Sequence, residues 1–265
     1  MEATAAKVEE LDRILRLHAP LLVAYSGGVD SAFLLWRAVH VLGTSVSGAL
    51  ADSPSLKRSE LEEATTFARE HGLPVRVVRT TEVEDPRYQA NPLNRCYFCK
   101  HELFGQLHEL AQKEGFRAVA YGENADDAGE FRPGQEAARE FAVLAPLRDA
   151  GLTKAEIRTL AREAGLGVAD KPAQPCLASR IPTGLEVTPE KLRRVEAAES
   201  LVSRAGFRIV RVRHLDRSAL VQVSPLETPR LLEPALSSEL RRSLLELGFD
   251  DVAFDPTGYQ GASLR

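Results

Sequence analysis

Residues 21–42 read LLVAYSGGVDSAFLLWRAVHVL, and this stretch restricts the fold more than any other. The apolar run LLVAYS is followed at once by two glycines, then by DSAFLLWRAVHVL with apolar residues at helical spacing. That pattern is a buried strand turning directly into a helix. Gly27 and Gly28 let backbone N–H groups approach a phosphate with no Cβ in the way, and the helix N-terminus adds the positive end of its dipole. Ser26 and Ser31 supply hydroxyl donors beside them. The run lacks the lysine of a Walker loop and the G-x-G-x-x-G spacing of a dinucleotide turn. An ordinary corner with a Ser or Asp cap is the plainer reading. The strand before and the helix after favour a phosphate loop.

The same alternation continues to about residue 180. Strands are expected at VSGALAD (46–52), PVRVVRT (74–80), AVAYGEN (118–124) and AVLAP (142–146). Helices are expected at KRSELEEATTFAREHG (57–72), around HELFGQLHELAQKEG, and at KAEIRTLAREAGL (154–166), for which Thr153 is a good N-cap. Strands alternating with helices predict an α/β domain with a parallel sheet covered on both faces. Past residue 183 the rhythm changes. A helix at 189–206 precedes paired strands RIVRVRHL (208–215) and ALVQVS (219–224), a helical stretch over 226–248 and a last short strand DVAF (251–254). This predicts a separate small α+β domain, with residues 1–182 and 183–265 as the two domains and the link Ile181–Gly184 as the boundary.

Composition excludes several classes. With 44% hydrophobic and 27% charged residues the chain is an ordinary globular one rather than disordered. Its apolar runs fall far short of a membrane span, and MEATAAKVEELDRIL is a charged amphipathic stretch with no visible secretory signal. The balance of 34 Lys+Arg against 38 Asp+Glu, net −4, gives no general attraction to nucleic acid. Three cysteines make a poor disulfide framework, so the reducing cytoplasm is the expected compartment.

In doubly wound α/β folds the ligand lies at the carboxyl ends of the strands. Asp52 and Ser53 end one expected strand, and GENADD (122–127) ends another, so both are expected to face the crevice of the loop. Asp126 and Asp127 are candidate Mg²⁺ ligands, because a hard cation prefers carboxylate oxygen. A polar turn is the plainer reading for them. Cys96 and Cys99 form a Cys-x-x-Cys pair followed by Lys100 and His101, open to metal, redox or incidental readings. Cys176, in KPAQPCLASRIP, is set in a proline-flanked stretch where Arg180 would favour its thiolate. Arg211 and Arg213 alternate on one strand face, where they could clamp a phosphate. A solvated charged face would look the same.

SGGVDS resembles the PP-loop of the N-type ATP pyrophosphatases, which cleave ATP to AMP and pyrophosphate while adenylating a substrate. In order, SGGVDS, RCYFCK, YGENADD, FRPGQEAARE, LTKAEIRTLAREAGL and KPAQPCLASRIPTG resemble the LarE family. These are ATP-dependent sulfur transferases that build the nickel-pincer nucleotide cofactor of lactate racemase. The resemblance covers nearly the whole chain and is strongest over 20–184. It implies that ATP and Mg²⁺ are used to adenylate the carboxylates of pyridinium-3,5-biscarboxylic acid mononucleotide, after which sulfur replaces the activated oxygen to give a thiocarboxylate. ATP would be bound by Ser26, Gly27, Gly28, Asp30, Ser31, Asp52, Ser53, Gly122 and Asn124. Asp30, Ser31 and Cys176 would carry the chemistry.

Family members are of two kinds. In one, the CLASR cysteine gives up its own sulfur and becomes dehydroalanine. In the other, three cysteines hold a 4Fe–4S cluster whose fourth iron carries the added sulfide. All three cysteines of this chain, Cys96, Cys99 and Cys176, fall in the matching motifs, which favours the cluster kind. The resemblance further implies substrate contacts from Arg180, Glu199, Arg211 and Arg213, a symmetric homo-oligomer, with a hexamer the expectation, and a place beside other enzymes of the nickel-pincer pathway. The competing expectation is a tRNA-thiolating PP-loop enzyme, which would need an RNA-binding surface. An ammonia-using ligase of the same fold would leave the cysteines without a task, and a nucleotide-sensing module would bind ATP but release no pyrophosphate.

Overall fold

The computed structural model describes residues 2–127, 133–172 and 174–260. In chain order the elements are α1 (Glu2–His18), β1 (Leu21–Tyr25), α2 (Val29–Leu42), β2 (Val46–Asp52), α3 (Arg58–Glu70), β3 (Val75–Arg79), α4 (Pro86–Gln89), α5 (Arg95–Glu114) and β4 (Ala118–Tyr121). They continue with α6 (Pro133–Glu140), α7 (Pro146–Asp149), α8 (Lys154–Glu163), α9 (Pro189–Arg204), β5 (Val210–Leu215), β6 (Ser218–Val223), α10 (Thr228–Leu231), α11 (Pro234–Glu246) and β7 (Asp251–Phe254). Two compact units result, residues 1–82 with 94–174, and residues 83–93 with 175–265. Among the described residues no helix is long and apolar enough to cross a membrane.

The first unit is a four-stranded, all-parallel sheet in the order β3-β2-β1-β4. β1 is central and buried, as its uninterrupted apolar run requires. One face carries a core of α1, α2 and α8 side chains, including Leu11, Phe33, Leu34, Leu35 and Ile157, and the other packs Phe104 and Leu107 of α5 and Ala137 and Ala138 of α6. The strand order reverses between β1 and β4, so the crevice outside their carboxyl ends is the expected ligand position. Both candidate segments emerge there: 26–31 after β1 and 122–127 after β4.

Two local expectations are corrected and the bounds of one helix are fixed. AVLAP contributes only a single parallel bridge, Ala120 to Leu144, rather than a fifth strand. Pro146 has no N–H to continue a ladder and opens α7 instead. The helix containing His101 starts at Arg95, which puts both thiols of CYFC on its first turns. The helical stretch 226–248 is two helices, α10 and α11, divided before Pro234.

The second unit has the sheet order β5-β6-β7, with β5 and β6 antiparallel and β6 and β7 parallel. The expected hairpin forms over the two residues Asp216 and Arg217, with Asp216 at φ 57°, a left-handed conformation that Asp tolerates. Ala198 and Val202 of α9 and Leu240 and Leu244 of α11 cover one sheet face through Val212, Val221 and Val252. The link Ile181–Gly184 lies inside this unit. The fully buried Asn91 explains it, because its side-chain amide donates to the carbonyls of Ile181 (3.2 Å), Pro182 (2.7 Å) and Leu185 (2.9 Å).

His214 on β5 is buried against the Phe249 ring (5.2 Å), and neither ring nitrogen has a hydrogen-bond partner among the described residues. Burial, with the charges of Arg194 and Lys191, lowers its pKa from 6.5 to about 4. The folded unit therefore holds the imidazole neutral while the unfolded chain protonates it near pH 6.5. Stability is complete above that value and falls as pH drops through 6.5 toward 4, by about 3 kcal/mol for this one group. In thermal melts from pH 7.5 to 4.5, His214→Leu is expected to lose distinctly less stability on acidification than the parent. Parallel pH profiles would assign the acid sensitivity elsewhere.

Candidate active site

The phosphate loop is closed by its own hydroxyls. Ser31 Oγ accepts the Ser26 N–H (3.1 Å), donates to the Gly28 carbonyl (3.1 Å) and lies 3.0 Å from Ser26 Oγ. Gly27 takes φ 74°, and a Cβ there would fall 2.6 Å from the Cβ of Ala64 on α3, so only glycine fits. Gly28 is the N-cap of α2 and brings no side chain to that end, leaving the dipole terminus facing the crevice. Gly122 matters for approach rather than for φ. A Cβ on it would lie 2.7 Å from the Ser31 nitrogen, so its bareness lets the end of β4 seat against the loop.

Around this loop the structure gathers Asp30, Asn124, Asp126 and Asp127. Asp30 Oδ2 pairs with the ammonium of Lys154 at the start of α8, while Oδ1 is buried without a hydrogen-bond partner among the described residues. Burial raises the Asp30 pKa above the usual carboxylate range, with Lys154 opposing and Asp127 adding to the rise. Asn124 organises the turn: its Oδ1 accepts the Asp126 N–H (2.9 Å), and its own N–H donates to Asp127 Oδ2 (3.2 Å). Asp126 Oδ2 also accepts the Lys154 N–H (2.8 Å). Among the described residues, no group of three or more His, Cys, Asp or Glu could hold a metal ion unaided. Mg²⁺ entering with ATP asks for less, because phosphate oxygens and water complete its shell around one or two carboxylates. Asp126 and Asp127 fit that need.

Asp52 and Ser53 stand at the carboxyl end of β2, held by Arg58, which pairs with Asp52 (2.5 Å) and donates to the Ser53 carbonyl (2.6 Å). The Ser53 hydroxyl donates to the buried Glu82 carboxylate.

Cys96 is exposed at the second position of α5, and Cys99 follows one turn later, half-buried. Cys176, also exposed, belongs to the second unit and caps the short 3-10 turn Leu177–Arg180. None of the three is in a disulfide. Soft, accessible thiols are the donors an iron–sulfur centre takes, but among the described residues no three His, Cys, Asp or Glu side chains are gathered into a metal-holding group.

In the second unit Arg211 and Arg213 do share a face of β5, since Val210, Val212 and His214 alternate inward. Arg213 Nε donates to Gln222 Oε1 (2.8 Å), whose amide donates to Asp255 (2.7 Å). The Arg211 guanidinium lies 5.0 Å over the Tyr259 ring. Arg180 and Glu199 are different. They are only 1% and 2% exposed and form a two-point pair, Nε to Oε1 at 2.8 Å and Nη2 to Oε2 at 3.1 Å. Removing one partner of such a pair typically costs about 3–5 kcal/mol, because the other charge is left buried alone.

Sequence reasoning did not single out Lys154 or Glu123. Lys154 had a usable signal, since a lysine in the first turn of a helix opposes the macrodipole and asks for a nearby anion. Glu123, a buried residue of the 122–127 turn, accepts from Tyr121, Gln135 and Arg148 and braces the segment. Its neighbours were not visible along the chain.

A parallel sheet, a glycine phosphate loop at its switch point and an acidic turn facing it define an ATP-using PP-loop enzyme. No protein-family model matches the chain. An uncharacterized protein of Synechocystis is 40% identical over 260 residues, 98% of this chain and 97% of its own length. Pyridinium-3,5-bisthiocarboxylic acid mononucleotide synthase of Lactiplantibacillus plantarum is 29% identical over 266 residues, the whole of this chain and 96% of its own length. A tRNA-5-methyluridine(54) 2-sulfurtransferase of Thermus thermophilus is 36% identical over 135 residues, 45% of this chain and 41% of its own length. Over its whole length the chain is therefore similar to a member of the LarE family, and its PP-loop relatives make it an ATP-dependent sulfur transferase.

Proposed function

We propose that the enzyme acts on pyridinium-3,5-biscarboxylic acid mononucleotide, adenylating its carboxylates and converting them to thiocarboxylates for a nickel-pincer cofactor. The observation that carries this reading is the full-length likeness to the Lactiplantibacillus plantarum synthase. A substrate carboxylate oxygen attacks the α-phosphorus of ATP, pyrophosphate leaves, and an acyl adenylate results. The Ser26–Ser31 loop and the α2 N-terminus bind and neutralise the phosphates, and Asp126 and Asp127 would hold Mg²⁺ against them. Cys96, Cys99 and Cys176 are the thiolates that would hold a 4Fe–4S cluster, and such a cluster would supply sulfide to the activated carboxyl. In the sacrificial alternative the Cys176 thiolate attacks the acyl carbon and AMP leaves. Loss of the Cys176 Cα proton then breaks the Cβ–S bond, leaving the sulfur on the substrate and dehydroalanine in the chain.

A tRNA-thiolating role has less support, because the likeness to the Thermus enzyme spans 45% of the chain and the net charge is −4.

The two arginines give the test of the substrate. If Arg211 and Arg213 hold its single phosphate, Arg→Ala at either is expected to weaken binding of the pyridinium mononucleotide by about 1.5–3 kcal/mol. ATP affinity should change little. Calorimetric titration of both ligands checks this, and equal loss for the two would remove the assignment.

A further inference from the structure

The buried pair has a more specific task than holding charge. Arg180 directs its other donors at the loop of the reactive thiol: Nη1 reaches the carbonyls of Pro175 and Cys176 (the latter at 2.9 Å) and Ser179 Oγ (3.1 Å). Glu199, projecting from α9, uses Oε1 a second time to accept the Val212 N–H (3.1 Å). Among the described residues β5 is an edge strand, paired only with β6. Val212 therefore turns an N–H away from the sheet, and Glu199 meets it. Val212 sits between Arg211 and Arg213.

We infer that Arg180 and Glu199 are positioning residues rather than substrate contacts, forming a rigid strut from the backbone of Cys176 to the strand of the two arginines. The strut fixes how far the thiol stands from the guanidinium groups. A small nucleotide held by its phosphate at one end would then present its activated carboxyl at a set distance from the sulfur. Several features support a strut over a ligand contact. Arg180 is among the largest fully buried side chains. Its three nitrogens all have protein acceptors, and both Glu199 oxygens are engaged. A guanidinium fork is the side chain suited to gripping a carboxylate and two carbonyls in one plane, which a lysine ammonium cannot reproduce.

This inference rests on the reading above in one respect, that Cys176 takes part in sulfur delivery by either route. Its test has a readout independent of that chemistry. In Arg180→Lys, amide hydrogen exchange over residues 176–181 is expected to accelerate at least ~10-fold, because the loop loses its grip on the strut. Sulfur-transfer kcat should fall at least ~10-fold, while affinity for the pyridinium mononucleotide stays within about twofold. If Arg180→Lys fails to fold, Glu199→Gln decides. It keeps the Val212 hydrogen bond and the shape but loses the charge, and the same pattern is expected with smaller amplitude. A tenfold or larger loss of mononucleotide affinity with loop exchange unchanged would make Arg180 a substrate ligand and overturn the inference. If the parent enzyme transfers sulfur equally well with Cys176→Ser, the functional reading fails instead, and faster loop exchange in Arg180→Lys would still establish the strut.

Discussion

Asp30→Asn and Ser31→Ala should each reduce substrate-dependent pyrophosphate release by about 10²–10³-fold, the loss typical when one preorganised contact to developing charge is removed. Ser31 earns this effect through the loop's shape. Its oxygen both accepts the Ser26 N–H and donates to the Gly28 carbonyl, so an alanine opens the ring of bonds that aims the backbone at the phosphates. Asp30 acts through charge: its carboxylate, desolvated and paired with Lys154, anchors α8 to the first turn of α2. Without that charge Lys154 loses its ion-pair partner in the crevice. Ser31 is buried but lies outside the apolar clusters, and asparagine keeps the shape of Asp30, so melting temperature should shift by only a few degrees. A pyrophosphate assay with matched melts checks both statements. Parent-like release in both variants would take the loop out of the mechanism.

The cysteine series carries the second large effect. If the three thiols hold a cluster, Cys96→Ser, Cys99→Ser and Cys176→Ser each lose a soft ligand for which a hydroxyl is a poor substitute. All three should be colourless after anaerobic reconstitution and inactive in sulfur transfer, with adenylation preserved, because the phosphate loop is built from other residues. The sacrificial route predicts a different pattern. Only Cys176→Ser would be inactive, and intact mass after one turnover would fall by about 34 Da, the mass of H₂S lost in forming dehydroalanine. Finding that mass loss with Cys96→Ser still competent would exclude the cluster as sulfur carrier.

Much of the first unit was legible along the chain because its elements are marked locally. β1 is one apolar run, Gly27 and Gly28 announce the loop, and Thr153 with Glu156 completes a capping box at α8. AVLAP misled because short apolar runs do not show how many hydrogen bonds they make. Its neighbour Pro146 decided the matter. Candidate site residues within single segments were readable for the same reason, since Ser26 and Ser31, or Asn124 and Asp127, act on one another across a few positions. The Arg180 role was not readable. Its partners lie at 175, 176, 179 and 199, and only packing shows that the guanidinium faces carbonyls and Glu199 rather than solvent. The Asn91 anchor was hidden for the same reason, separated from Ile181 by 90 positions.

That separation has a consequence for synthesis on the ribosome. Residues 83–93 belong to the second unit but are translated before half of the first. At roughly 5–20 residues per second, Asn91 emerges about 5–20 s before the carbonyls that will satisfy it. During that interval the Asn91 amide must find its hydrogen bonds in water while the parallel sheet forms from the chain on either side of it. The nucleotide-binding unit can therefore complete itself during elongation, but the unit that carries Cys176 cannot. A nascent chain halted between the end of the first unit and Ile181 holds a formed phosphate loop and an unsatisfied Asn91, a species for chaperones or proteases to recognise.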